Sequence, residues 1–91
     1  MLDTTSIVVA AQDQVSCDIG NQMAILNLKS GVYYGLDSVG SRVWELVQIP
    51  RRLGDIERCL LAEYEVEPGR LGLELRDLCG QLAEVGLIDI A

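Results

Sequence analysis

Histidine and phenylalanine are absent from this chain of 91 residues, and its aromatic side chains are Trp44, Tyr33, Tyr34 and Tyr64 alone. Without histidine, a cysteine nucleophile lacks its usual general base. Cys17, Cys59 and Cys79 stand far apart with no C-x-x-C pair, so neither a zinc ligand set nor a disulfide framework is written in the spacing. Glycine-rich phosphate loops are also missing, because Gly69 and Gly72 fall at the start of a helical pattern without the GxxxxGK context. No metal, cofactor or catalytic group is expected. Basic residues are scarce, seven against fourteen acidic ones for a net charge of −7. A phosphate-binding surface needs a basic stripe, so nucleic acid and anionic membranes are disfavoured partners. No apolar run approaches the ~18 residues of a membrane span, and Met1-Leu2-Asp3 lacks a positive n-region. Together with the odd, isolated cysteines this predicts a soluble cytoplasmic protein with reduced thiols.

What remains is apolar and aliphatic. Residues 1–91 make a single domain, and with 49% apolar residues one core can form from Leu, Ile and Val. The three cysteines read as small buried hydrophobes within that core, and the scattered acids as solvated faces.

The hydrophobic period changes once, near residue 37. Before it the period is two. Ser6–Ala11 (SIVVAA) predicts a first strand, and Val15, Cys17 and Ile19 alternate with Ser16 and Asp18 as a half-buried second one. Gly20-Asn21 is a turn signal. Met23–Lys29 sets Ala24, Leu26 and Leu28 on one face and Ile25, Asn27 and Lys29 on the other. Ser30-Gly31 predicts a tight turn, and Val32–Leu36 (VYYGL) returns as its partner strand. Val32, Tyr34 and Leu36 share one face of that strand, Tyr33 and Gly35 the opposite one.

After residue 37 the period is helical. Asp37 or Ser38 can cap a helix whose stripe is Val39, Val43, Leu46 and Val47, with Trp44 beside it and Pro50 ending it. Arg51 and Arg52 begin a linker. A second helix is predicted from about Gly54 to Tyr64, burying Ile56, Leu60 and Leu61. A third runs from about Pro68 to Val85 with Leu71, Leu75, Leu78, Leu82 and Val85 as its stripe. Gly86 caps it, and Leu87, Ile88 and Ile90 form an extended tail. The fold class is α+β, winged helix-turn-helix-like: a three- or four-stranded antiparallel β-meander followed by three α-helices.

Two features point past a plain core. Val32, Tyr33, Tyr34, Gly35 and Leu36 read equally as aromatic filling of a hairpin and as an edge strand whose backbone, glycine gap and aromatic accept another strand. On the third helix Cys79 and Ala83 widen the leucine stripe on one flank, with Arg76 at its rim. Small residues there suit either a partner groove or plain core.

The stretch Leu26–Leu46 (LNLKSGVYYGLDSVGSRVWEL) resembles the signature of PqqD-like proteins, the peptide chaperones also called RiPP precursor recognition elements. Leu61–Val66 (LAEYEV) is similar to the family's second-helix ending and Val85-Gly86-Leu87-Ile88 to its C-terminal Gly-Leu, so the likeness runs from about residue 6 to 90. The wording Tyr-Tyr-Gly-Leu-Asp and Arg-Val-Trp-Glu-Leu is most similar to stand-alone members from lasso-peptide gene clusters. The resemblance implies a non-catalytic adaptor that binds the leader of a ribosomally made precursor peptide by strand addition. It implies delivery to a leader-cleaving cysteine protease and an ATP-dependent cyclase. Carried over, the leader lies along Val32–Leu36 and against a helix flank centred on Leu75, Cys79 and Leu82, with Arg76 and Ala83 beside it. Leu75→Asp or Cys79→Asp is then expected to weaken binding in a folded domain. Gly72 and Gly80 depart from a strong helix, and Leu73 points off the stripe. Service to another modifying enzyme, such as a radical SAM protein, is the nearest alternative. A winged-helix DNA-binding regulator, offering only Arg70 and Arg76 on its last helix, and a structural dimer joined through edge strands are the others.

Overall fold

The computed structural model describes residues 2–20 and 22–91; Asn21, half of the expected Gly20-Asn21 turn, lies outside them. The elements are β1 (Ile7–Ala10), β2 (Gln14–Asp18), β3 (Met23–Asn27), β4 (Tyr33–Leu36), α1 (Ser38–Leu46), β5 (Arg51–Arg52), α2 (Leu53–Glu63), α3 (Pro68–Glu84) and β6 (Ile88–Ile90). Strands β2, β3 and β4 form the antiparallel meander, which takes the three-stranded alternative. The N-terminal strand joins a second sheet, β5-β1-β6, in which Val8 pairs with both Arg51 and Ile90. Arg51-Arg52 is therefore a strand rather than a linker, and the C-terminal tail is a strand as well.

One face of the meander is covered and the other is open. Ile25 is fully buried and Leu36 nearly so, packed with Val43, Trp44, Val47, Leu60 and Leu75 in the core. The register sets Val15 opposite Leu26 and Tyr33, and Cys17 opposite Ala24 and Gly35, all on the other face. That face is left open among the described residues, and Val15, Cys17 and the following Ile19 are exposed instead of half-buried. Strand β2 lies past the edge of the helical layer, and its alternation of apolar residues marks an uncovered surface.

Helix α1 begins at Asp37, whose carboxylate accepts from Gly40 N–H at 2.8 Å, satisfying one of the amides a helix start leaves orphaned. It stops at Leu46, short of Pro50. Arg42 on α1 donates from Nε to Glu63 Oε1 at 2.9 Å and from Nη2 to Glu63 Oε2 at 2.9 Å. This two-pronged pair ties α1 to the end of α2 and holds the Glu63 carboxyl below its ordinary range. Helix α2 buries Leu53, Ile56 and Leu60, while Leu61 is only half-buried. Helix α3 ends as expected: Gly86, at φ 78°, follows the last turn, and Leu87 N–H reaches back to Leu82 O at 2.8 Å.

Candidate functional site: an open strand edge above an apolar groove

The β3–β4 hairpin is organised by Asn27. Its Oδ1 accepts from Lys29 N at 2.9 Å and Ser30 N at 3.2 Å, which curls the loop toward Gly31 at φ 71°. Its Nδ2 donates to Val85 O at 2.7 Å. One buried amide thus fixes the hairpin's turn and ties it to the C-terminal end of α3. Strand β4 and α3 are held as two walls.

The ladder decides which backbone groups of β4 are free. Asn27 N–H donates to Val32 O at 3.0 Å, and Ile25 faces Tyr34 and Met23 faces Leu36 along the same register. Antiparallel pairs alternate between bonded and non-bonded, so Tyr33 and Gly35 direct their N–H and C=O groups away from β3, to the open edge. Val32, expected within this strand, lies one residue before it and closes the loop. Side chains follow the expected alternation: Tyr34 and Leu36 point inward, while Tyr33 is 69% exposed and Gly35 is exposed.

Beneath that edge a cavity of about 410 Å³ separates β4 from α3, lined by Tyr34, Gly35, Leu36, Leu78, Gln81, Leu82, Glu84 and Val85. A second, of about 360 Å³, continues past the start of α1; Leu78 is common to both, and Val39, Val43, Leu60, Tyr64, Val66, Leu71 and Leu75 make it apolar, with Asp37 and Glu74 as its charged groups. The walls are mostly aliphatic, suited to hydrophobic anchors of an extended chain.

The structure divides the sequence-predicted helix residues into two groups. Leu75 and Leu82 reach the groove only as its floor, being 3% and 4% exposed and part of the core. Arg76, Cys79 and Ala83 do not line it. Cys79 is fully buried, and burial pushes its thiol up to about 11. The flank it shares with Gly72 faces α2, since a Cβ on Gly72 would sit 2.7 Å from Glu57 Oε1. At Gly72 the Glu57 side chain occupies the space that a larger residue would take, and Cys79 is fully buried in the core, so this flank does not form the groove. Aspartate at Leu75 or Cys79 would place a charge in this core, which argues against the expectation of a folded variant. The groove is walled by the opposite flank, Glu74, Leu78, Gln81 and Val85, which sequence periodicity assigned to core or surface. Its signal was present: Leu78 and Val85 lie on the edge of the leucine stripe away from Gly72 and Cys79. The expectation of three buried cysteines is corrected too, with Cys17 exposed and Cys59 half-buried. Leu73, 65% exposed, does point away from the core.

No curated protein sequence matches this chain significantly. Among solved structures, TbiB1 in complex with the TbiA(beta) leader peptide superposes with a TM-score of 0.82 at 34% identity, covering 89% of this chain and 94% of that one. A lasso peptide synthetase B1 complexed with the leader peptide superposes with a TM-score of 0.79 at 21% identity, covering 90% and 96%, and shares the fold. Residues 22–88, from the start of β3 through the hairpin, all three helices and the last turn, match the family described as coenzyme PQQ synthesis protein D, and the chain belongs to this PqqD family.

Proposed function

We propose that this chain is a non-catalytic adaptor that captures the leader segment of a ribosomally synthesised precursor peptide and presents it to maturation enzymes. A leader-cleaving cysteine protease and an ATP-dependent cyclase fit the resemblance to lasso-peptide systems. The observation that carries the reading is the outward-facing backbone of Tyr33 and Gly35 above a contiguous apolar groove. TbiB1, 34% identical over most of both chains, was solved with a leader peptide. Backbone hydrogen bonds along β4 supply affinity that is largely indifferent to sequence, and pockets for alternate side chains supply selection. Leu78, Gln81 and Val85 form the second wall, with Leu75 and Leu82 beneath them.

A disordered leader loses its conformational freedom on docking, so affinity is moderate, about 0.1–10 µM. Fluorescence anisotropy with labelled TbiA(beta) leader peptide tests this. Leu78→Ser is expected to weaken binding about tenfold or more with the circular dichroism spectrum retained, and Arg76→Ala to leave it unchanged. Equal affinity of wild type and Leu78→Ser would remove the groove from the account.

A further inference from the structure

We propose that Glu84 selects the bound peptide by charge, taking a Lys or Arg side chain of the leader at the C-terminal end of α3. The inference rests on the leader-binding reading and names what that site prefers. Tyr34, Glu84 and Val85 line both the cavity under β4 and a third cavity, of about 770 Å³, that extends toward the β3–β4 loop and β6. Glu84 thus stands where the two open into each other. A strand added along Tyr33–Gly35 directs alternate side chains into this junction.

The other charged groups along the path are mostly engaged. Asp37 caps α1, Glu74 pairs with Arg70 at 2.9 Å, and Lys29, the one cation lining these cavities among the described residues, pairs with Asp13 at 3.3 Å. Glu84 has no ion pair or side-chain hydrogen bond among the described residues, and Asp89 on the far wall adds charge of the same sign. Its place on the helix compounds this. Glu84 is the last residue of α3, a helix with no basic residue in its final turn. The negative end of the helix dipole falls there, where a carboxylate is unfavourable and a cation favourable. An incoming ammonium or guanidinium answers both the side chain and the helix end.

The test uses labelled TbiA(beta) leader variants in which each position in turn is Lys, Gln or Glu, titrated against wild type, Glu84→Gln and Glu84→Lys. At one or more positions, Lys is expected to bind wild type about three- to tenfold tighter than Glu, as an exposed pair allows. That preference disappears in Glu84→Gln, inverts in Glu84→Lys and shrinks in about 0.5 M salt. Glu84→Gln should melt no lower than wild type, so altered selection will not reflect unfolding. Binding without charge preference at any position, or the same preference in all three proteins, overturns the assignment of Glu84 alone. Failure of every variant to bind wild type overturns the leader-binding reading and this inference with it.

Discussion

Asn27 and Cys79 show how single buried residues govern this molecule. Asn27 is 6% exposed and spends its amide on Lys29, Ser30 and Val85. Alanine there leaves the Val85 carbonyl and two loop amides without their partner, at a cost of about 1–3 kcal/mol. Urea denaturation should show that loss, and leader affinity should fall with it because β4 and α3 are no longer tied; an unchanged midpoint would deny Asn27 this role. Cys79 behaves in the opposite chemical sense. Burial raises its pKa from 9.0 to about 11, so the fold favours the protonated thiol and its stability falls as pH rises from about 9 through 11. Cys79→Ala should flatten that alkaline decline. At pH 8 on the order of 10⁻³ of the Cys79 thiol is ionised, so a thiol reagent should modify exposed Cys17 in the native protein and Cys79 only after denaturation. Equal native labelling of both would contradict the burial of Cys79.

At the scale of elements, α3 separates what periodicity reveals from what it hides. The spacing of Leu71, Leu75, Leu78 and Leu82 announces the helix and its buried stripe, and the structure places the helix at Pro68–Glu84. Which edge of the stripe looks at α2 and which at β4 is a tertiary fact. Gly72 and Cys79 on one side and Leu78 and Val85 on the other are both compatible with an amphipathic helix; only the approach of α2 distinguishes them. The consequence is testable. Leu75→Asp and Cys79→Asp each bury a charge in an apolar core, a loss on the order of 4 kcal/mol or more, large for a domain of this size. Circular dichroism melts should show both variants largely unfolded, and a cooperative near-native melt for Cys79→Asp would return it to the surface. The hairpin was legible because Ser30-Gly31 and the VYYGL alternation are local signals. The second sheet was not, since β1, β5 and β6 come from residues 7, 51 and 88 onward and short strands so far apart carry no joint pattern. Val15, Cys17 and Ile19 misled for a related reason: alternation identifies a strand with an apolar face and does not say that anything covers it.

The whole molecule is a scaffold that keeps one sheet edge unpaired beside a groove. The second sheet anchors both termini of the described chain, with Ala91 N–H donating to Ile7 O at 2.8 Å, and so braces β6 against α3. Across the meander the outer edges, β2 and β4, each lack a neighbour on one side among the described residues, and a largely apolar groove lies beneath β4. No helix among the described residues is long and apolar enough to cross a membrane, and the charge of −7 favours cationic or neutral peptides over phosphate-rich ligands. Amide hydrogen exchange of the free domain and of the domain saturated with TbiA(beta) leader peptide tests strand capture at β4 most directly. The Tyr33 and Gly35 amides should slow by about tenfold or more on binding, while the Tyr34 amide, already paired with β3, changes little. Unchanged exchange at Tyr33 and Gly35 in a demonstrably saturated complex, or protection appearing instead along β2, would contradict it.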